Sequence, residues 1–297
     1  MRTPVLLSVI ALLGSSACSG PDFDAQSEIR SVRVLGIKAE PPELALEPNA
    51  TTLPPPVTFS ALAVTPDARP VTVTYALCRP DVNPYGDVAC PGDSGVALSN
   101  GVLSLSDPAV QALLIESFQA ATGGTGGGQG GTFDFNDPAV QQVLQTGLPL
   151  FVGYEATDGS GTPEGVERGV RRITLRSTAT PNQNPVMQDV LWNDAPLSGP
   201  LPLGTEVTFT PVLGAGSEET YSTADGPRTE QVFFSWFATG EGEVGSFRSL
   251  EPVDGKPGDP TTTYTTARTP ERITVWVVAR DGRGGTDWTT RTVDVGP

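Results

Sequence analysis

Short runs of alternating apolar and polar side chains, broken by proline, set the rhythm of this chain. Residues 29–37 alternate loosely, Val57–Val64 puts Val57, Phe59, Ala61 and Ala63 on one face, and residues 71–78 repeat the pattern. A period of two is that of a strand with one buried face. The prolines of Glu40-Pro41-Pro42-Glu43 and Leu53-Pro54-Pro55-Pro56 fall between these runs, where a residue that cannot donate to a ladder does least harm. Strand patterns return at 148–156, 169–175, 205–211, 231–237, 273–280 and 288–295.

Residues 98–148 depart from that rhythm and contain an internal echo. Asp107-Pro108-Ala109-Val110-Gln111 and Asp137-Pro138-Ala139-Val140-Gln141 each place a capping acid before a proline at the first helical position. Val110, Leu113, Leu114 and Phe118 then follow helical spacing, so two short helices are expected within an insert over about 106–146. The glycine run 123–131 between them reads as a linker. A phosphate-binding loop would need a preceding strand and a Lys-Ser/Thr pair, and neither is there. Residues 178–185 are polar, proline-punctuated and aperiodic, which places a domain boundary there. The expected fold is all-β: two immunoglobulin-like β-sandwich domains in tandem, 29–177 with the helical insert and 182–297 without it.

The second half carries a nameable resemblance. A Pro/Gly-rich start, Trp236 in a middle strand, and a final hairpin around Asp281-Gly282-Arg283-Gly284-Gly285-Thr286-Asp287 resemble the PKD and immunoglobulin-like modules of bacterial surface proteins. The resemblance covers roughly 182–297. It implies a sandwich used for display, spacing or adhesion, with no catalysis, and Trp236 as a core residue.

Composition narrows the chemistry. The 297 residues contain no histidine, which removes His-based triads, Cys-His dyads and His-ligated metal sites together. With 34 acidic against 18 basic residues and a net charge of −16, the chain is unsuited to nucleic acid. Paired carboxylates remain for glycoside hydrolysis, but Glu218-Glu219 and Glu241/Glu243 lie in surface-type segments and adjacent strand residues face opposite ways. The chain therefore reads as a non-enzyme.

The N-terminus points to export. Arg2, an apolar run over 5–13 and small residues 14–17 lay out a secretory signal over 1–17, with a run too short to cross a bilayer permanently. Ser15-Ser16-Ala17-Cys18 resembles the bacterial lipobox, which implies lipidation of Cys18. Ser15 departs from the large aliphatic residue usual there, and Pro4 sits close to the apolar run. The alternative is an ordinary cleavable signal. Residues 18–28 read as an acidic tether, and Ser19 after the cysteine resembles outer-membrane sorting, so the expected location is the outer membrane, on its periplasmic or outer face. Of three cysteines, Cys18 taken by lipid leaves Cys78 and Cys90 to close a disulfide, which requires an oxidising compartment.

Candidate sites cluster in the last hairpin. If Val275 and Val277 face inward with Val293 and Val295, parity allows Asp281 opposite Asp287, and in that register Arg280 falls opposite Trp288. The two aspartates then serve a structural turn, neutralised by Arg283, or a structural calcium site. No other cofactor is expected. Trp276, Arg280 and Trp288 form either an aromatic ledge for a glycan or protein partner, or a face packed on the first domain. The rival to a structural or adhesive module is accordingly a carbohydrate-binding or carbohydrate-active protein. A third possibility is an envelope-assembly subunit docking through the helical insert.

Overall fold

The computed structural model describes residues 25–48, 52–82, 88–90, 95–122, 134–135, 137–223, 226–253 and 255–297. The signal segment 1–17, Cys18 with its expected lipid, and the glycine run 123–131 lie outside the described residues.

The chain is all-β in its framework, with two sandwiches in tandem. In the first, strands Arg33–Glu40, Val57–Val64 and Val102–Leu103 form one sheet in that order. The facing sheet runs Leu44–Leu46, Val166–Ser177, Leu148–Thr157, Thr72–Cys78, Gly95–Ala97, antiparallel except at its Leu44–Leu46 edge. The inward residues of both sheets, among them Ile37, Phe59, Leu77, Leu150, Val152 and Ile173, form one apolar cluster.

The helices occupy Pro108–Thr122 and Pro138–Thr146. Their common pentapeptide has a common geometry. Asp107 Oδ1 accepts the Ala109 N–H at 2.8 Å and Asp137 Oδ1 accepts that of Ala139 at 2.8 Å, while Gln111 and Gln141 reach back to the Leu105 and Phe135 carbonyls. Val110, Leu113, Leu114, Phe118, Val140 and Leu144 all belong to the first domain's core. The three-stranded sheet is too small to cover its five-stranded partner, and the helices complete the layer. The apolar faces of the insert are thereby packed into the first domain's core.

The second sandwich pairs a sheet ordered Ala195–Pro196, Met187–Trp192, Glu206–Leu213, Thr262–Thr265, Glu243–Val244 with one ordered Arg248–Leu250, Phe233–Ala238, Glu271–Arg280, Thr286–Val295. Trp236 is 1% exposed between these sheets, near Phe209 and Phe234, and its indole N–H donates to Ser249 Oγ at 2.7 Å. The burial of Trp236 fits the role implied by the sandwich resemblance.

A third apolar cluster belongs to neither core. Ile29, Leu35 and Val64 of the first domain meet Phe237, Trp276 and Val278 of the second, with Leu62, Phe247 and Trp288 at the margin. It joins the outer faces of the two sheets that contain Arg33–Glu40 and Glu271–Arg280. Gly36 makes the approach possible: a Cβ there would stand 3.1 Å from Val278 Cγ1 and 3.5 Å from Trp288 Cε3. Ser27 and Glu28, read in sequence as the end of the tether, are docked on the second domain. The Ala238 N–H donates to the Ser27 carbonyl at 3.2 Å, and Glu28 bridges Ala238 in parallel. Cys78, at the end of its strand, forms a disulfide with Cys90.

Candidate functional site

The last hairpin has a register different from the one expected. Glu271–Arg280 pairs with Thr286–Val295 so that Arg280 faces Thr286, Ala279 faces Asp287 and Val278 faces Trp288. Parity is preserved, since Val275, Val277, Val293 and Val295 all enter the core. The pairs Asp281–Asp287 and Arg280–Trp288 do not form. The reason is local: Asp281 leaves the ladder to cap its own loop.

Asp281 is 4% exposed and its carboxylate accepts from the Arg283, Gly284 and Gly285 N–H groups at 2.7–2.9 Å, and from Asn182 Nδ2 at 2.8 Å. Gly282 and Gly284 have φ of +80° and +126°, and a Cβ on Gly285 would fall 2.1 Å from Asp281 Oδ2. Three glycines are thus needed to wrap five residues around one carboxylate. Asp287 turns elsewhere, accepting from Lys38 Nζ at 3.2 Å and from the Met187 N–H at 2.9 Å. The loop carboxylate is occupied by N–H donors, the two aspartates are not brought together, and among the described residues no group of three or more Cys, Asp or Glu is placed to hold a metal.

The Asp281 loop lies against the inter-domain segment, which is bonded along its length to both domains. The Asn182 N–H donates to Glu43 Oε1 at 2.6 Å, and Glu43, 4% exposed, takes a two-pronged bond from Arg176 at 2.7 and 3.0 Å. Asn184 donates to the Ala39 carbonyl and accepts from the Thr286 N–H, both within 2.9 Å. Arg280 bridges the domains too, donating to Ser235 Oγ at 3.0 Å and to the Leu35 carbonyl at 2.7 Å, while Arg171 donates to the Gly284 carbonyl. Trp276 is 7% exposed in the apolar seam beside half-buried Trp288, so the aromatic ledge faces the first domain rather than solvent.

Arg283 lies over the Tyr221 ring at 4.3 Å and donates to Glu230 Oε1 at 2.7 Å. Burial raises the Glu230 pKa, with a further push from the Asp281 charge, and the Arg283 bond only partly offsets them; the result is about 7. A raised carboxylate pKa means that the folded state holds a proton the unfolded state releases at lower pH. Its contribution to stability is present below about 4.5 and is lost as pH rises through about 7. Wild type is therefore expected to lose stability relative to Glu230→Gln across that window in urea titrations at pH 4, 5.5, 7 and 8.5. A pH-independent difference would contradict this assignment.

The residues missed in sequence are those of the polar seam: Glu43, Arg171, Arg176, Asn182, Asn184 and Glu230. The available signal was the density of amide side chains in Pro181-Asn182-Gln183-Asn184-Pro185, a composition also found in linkers that bond to nothing.

No protein-family description matches the chain, and no curated protein sequence matches it. Among solved structures, similarity is found to the D00-D0 domain of intimin, with 13% identity, TM-score 0.26, and coverage of 50% of this chain and 65% of that one. It is found also to protocadherin gamma B7 extracellular cadherin domains 1-4, with 10% identity, TM-score 0.21, and coverage of 87% and 49%. The S-layer protein rSbsC shows 12% identity, TM-score 0.21, and coverage of 90% and 29%. The chain thus spans less than two thirds of the length of each. Likenesses of this size assign neither activity nor partner. Among the described residues, no helix is long and apolar enough to cross a membrane.

Proposed function

We propose that this chain is an exported, lipid-anchored, non-catalytic module of the bacterial outer membrane, holding two immunoglobulin-like sandwiches as one rigid unit for display or spacing. The observation that carries this reading is the closed seam: an apolar cluster and a polar network join the two domains through the same segment that connects them. Tandem domains in one chain are by default mobile unless their interface is large and apolar. A seam built this way fits a part whose length and orientation matter.

The anchor rests on Cys18. The wild-type protein is expected in the detergent-soluble membrane fraction with a diacylglyceryl-modified Cys18 as its first residue, and Cys18→Ser is expected as a soluble exported form. Intact-protein mass spectrometry of both distinguishes the outcomes. An unmodified Cys18, or cleavage at another bond, removes the anchor and leaves export standing. Against the alternative of a glycan platform on Trp276 and Trp288 stands the burial of Trp276 in the seam, with Trp288 partly buried beside it.

A further inference from the structure

Five of the chain's 18 basic residues line one cleft of about 530 Å³ between the two domains. Arg171, Arg172 and Arg176 come from the strand Val166–Ser177, and Arg280 and Arg283 from the end of the last hairpin's first strand and its loop. The single acidic residue of the lining is Glu43, and its carboxylate is already taken by Arg176 and the Asn182 N–H. Among the described residues, Arg171, Arg172 and Arg280 have no carboxylate at ion-pair distance. Arg283 is paired with Glu230 at 2.7 Å and Glu219 at 3.7 Å, and the Asp281 carboxylate lies behind the loop, so Arg171, Arg172 and Arg280 are the cations left for a ligand.

Two donors there are also left over. Arg171 Nε and Arg283 Nη2 are buried without a hydrogen-bond acceptor. Buried donors of this kind are uncommon in folded proteins, because a lost hydrogen bond to water is not replaced. The arginines also oppose one another. Burial, then the Arg171 and Arg248 charges, pushes the Arg280 guanidinium down to about 10. An anion in the cleft would relieve the mutual repulsion of these guanidinium groups.

We propose that this cleft binds one oxyanion group, a phosphate or a carboxylate, held by the guanidinium groups of both domains. The planar fork of arginine matches two oxygens of such a group, which a scatter of lysines would not. The cleft's size suits a small molecule or the charged end of a larger one. The overall acidity of the chain argues against an extended polyanion such as nucleic acid. The site goes beyond a display role: a ligand there would touch both domains and brace the seam.

The test is calorimetric titration of the full mature protein with inorganic phosphate and, separately, with glucuronate, at low and high sodium chloride. Saturable binding of either probe, weakened by salt and reduced about tenfold in Arg172→Gln, is the expected result. Arg172 is the variant of choice because it is exposed and donates no hydrogen bond among the described residues. Arg171→Gln should reduce binding further, with a melting curve to show that it still folds. Phosphate binding alone marks the ligand as a phosphate, and glucuronate binding alone marks it as a sugar acid. No saturable binding of either probe, or binding unchanged in Arg172→Gln, overturns the proposal.

Discussion

Asp281→Ala is expected to lower folding stability by about 3–5 kcal/mol, the range for removing one member of a buried, hydrogen-bonded charged cluster. The carboxylate serves three loop N–H groups and Asn182 at once. Its loss leaves those donors buried and unpaired and releases the loop that Arg171 bonds and that carries Arg283 to Glu230. Asp287→Ala is the matched control. That carboxylate is partly solvated and, among the described residues, accepts from Lys38 and the Met187 N–H, so about 1–2 kcal/mol is expected. Urea unfolding followed by tryptophan fluorescence measures both. Equal effects from the two aspartates would show that the Asp281 cap is not special.

Trp276→Ala is expected to cost a similar ~3–5 kcal/mol by opening a cavity in the apolar seam, with a different signature. Trp276 lies outside both sandwich cores, which keep their own clusters in the variant. Scanning calorimetry should therefore show one wild-type transition separating into two as the domains lose their coupling. Trp236→Ala, deep in the second core, should lower the stability of that domain itself. A single transition, merely shifted, in Trp276→Ala would mean that the domains are held together by the polar network alone.

The all-β framework was legible because alternation and proline breaks survive in one sequence, and the helices because Asp-Pro is a strong local start. The seam was harder to read, although part of its signal was present. Residues 275–279 are apolar without alternation, and in an antiparallel sheet that means both faces are covered. Trp276 and Val278 are covered by the first domain, while Val275, Val277 and Ala279 face the second core. The hairpin register was off by two residues because parity fixes which face a residue takes but not how many residues the turn absorbs. That number was set by Asp281, whose preference for loop amides over a cross-strand partner appears only when the glycines are folded around it. The polar seam was invisible for a general reason: its partners, Glu43 with Asn182 and Asn182 with Asp281, lie 139 and 99 residues apart.

The docking of Ser27 and Glu28 on Ala238 has a mechanical consequence. Tension applied through the residues before Ala25 meets the parallel bridge to the second domain before it reaches the first strand of the first domain. The load is divided between the two domains at the point where they are joined, instead of passing through one to stretch the other. Under pull, such a unit resists as a single body until the seam shears.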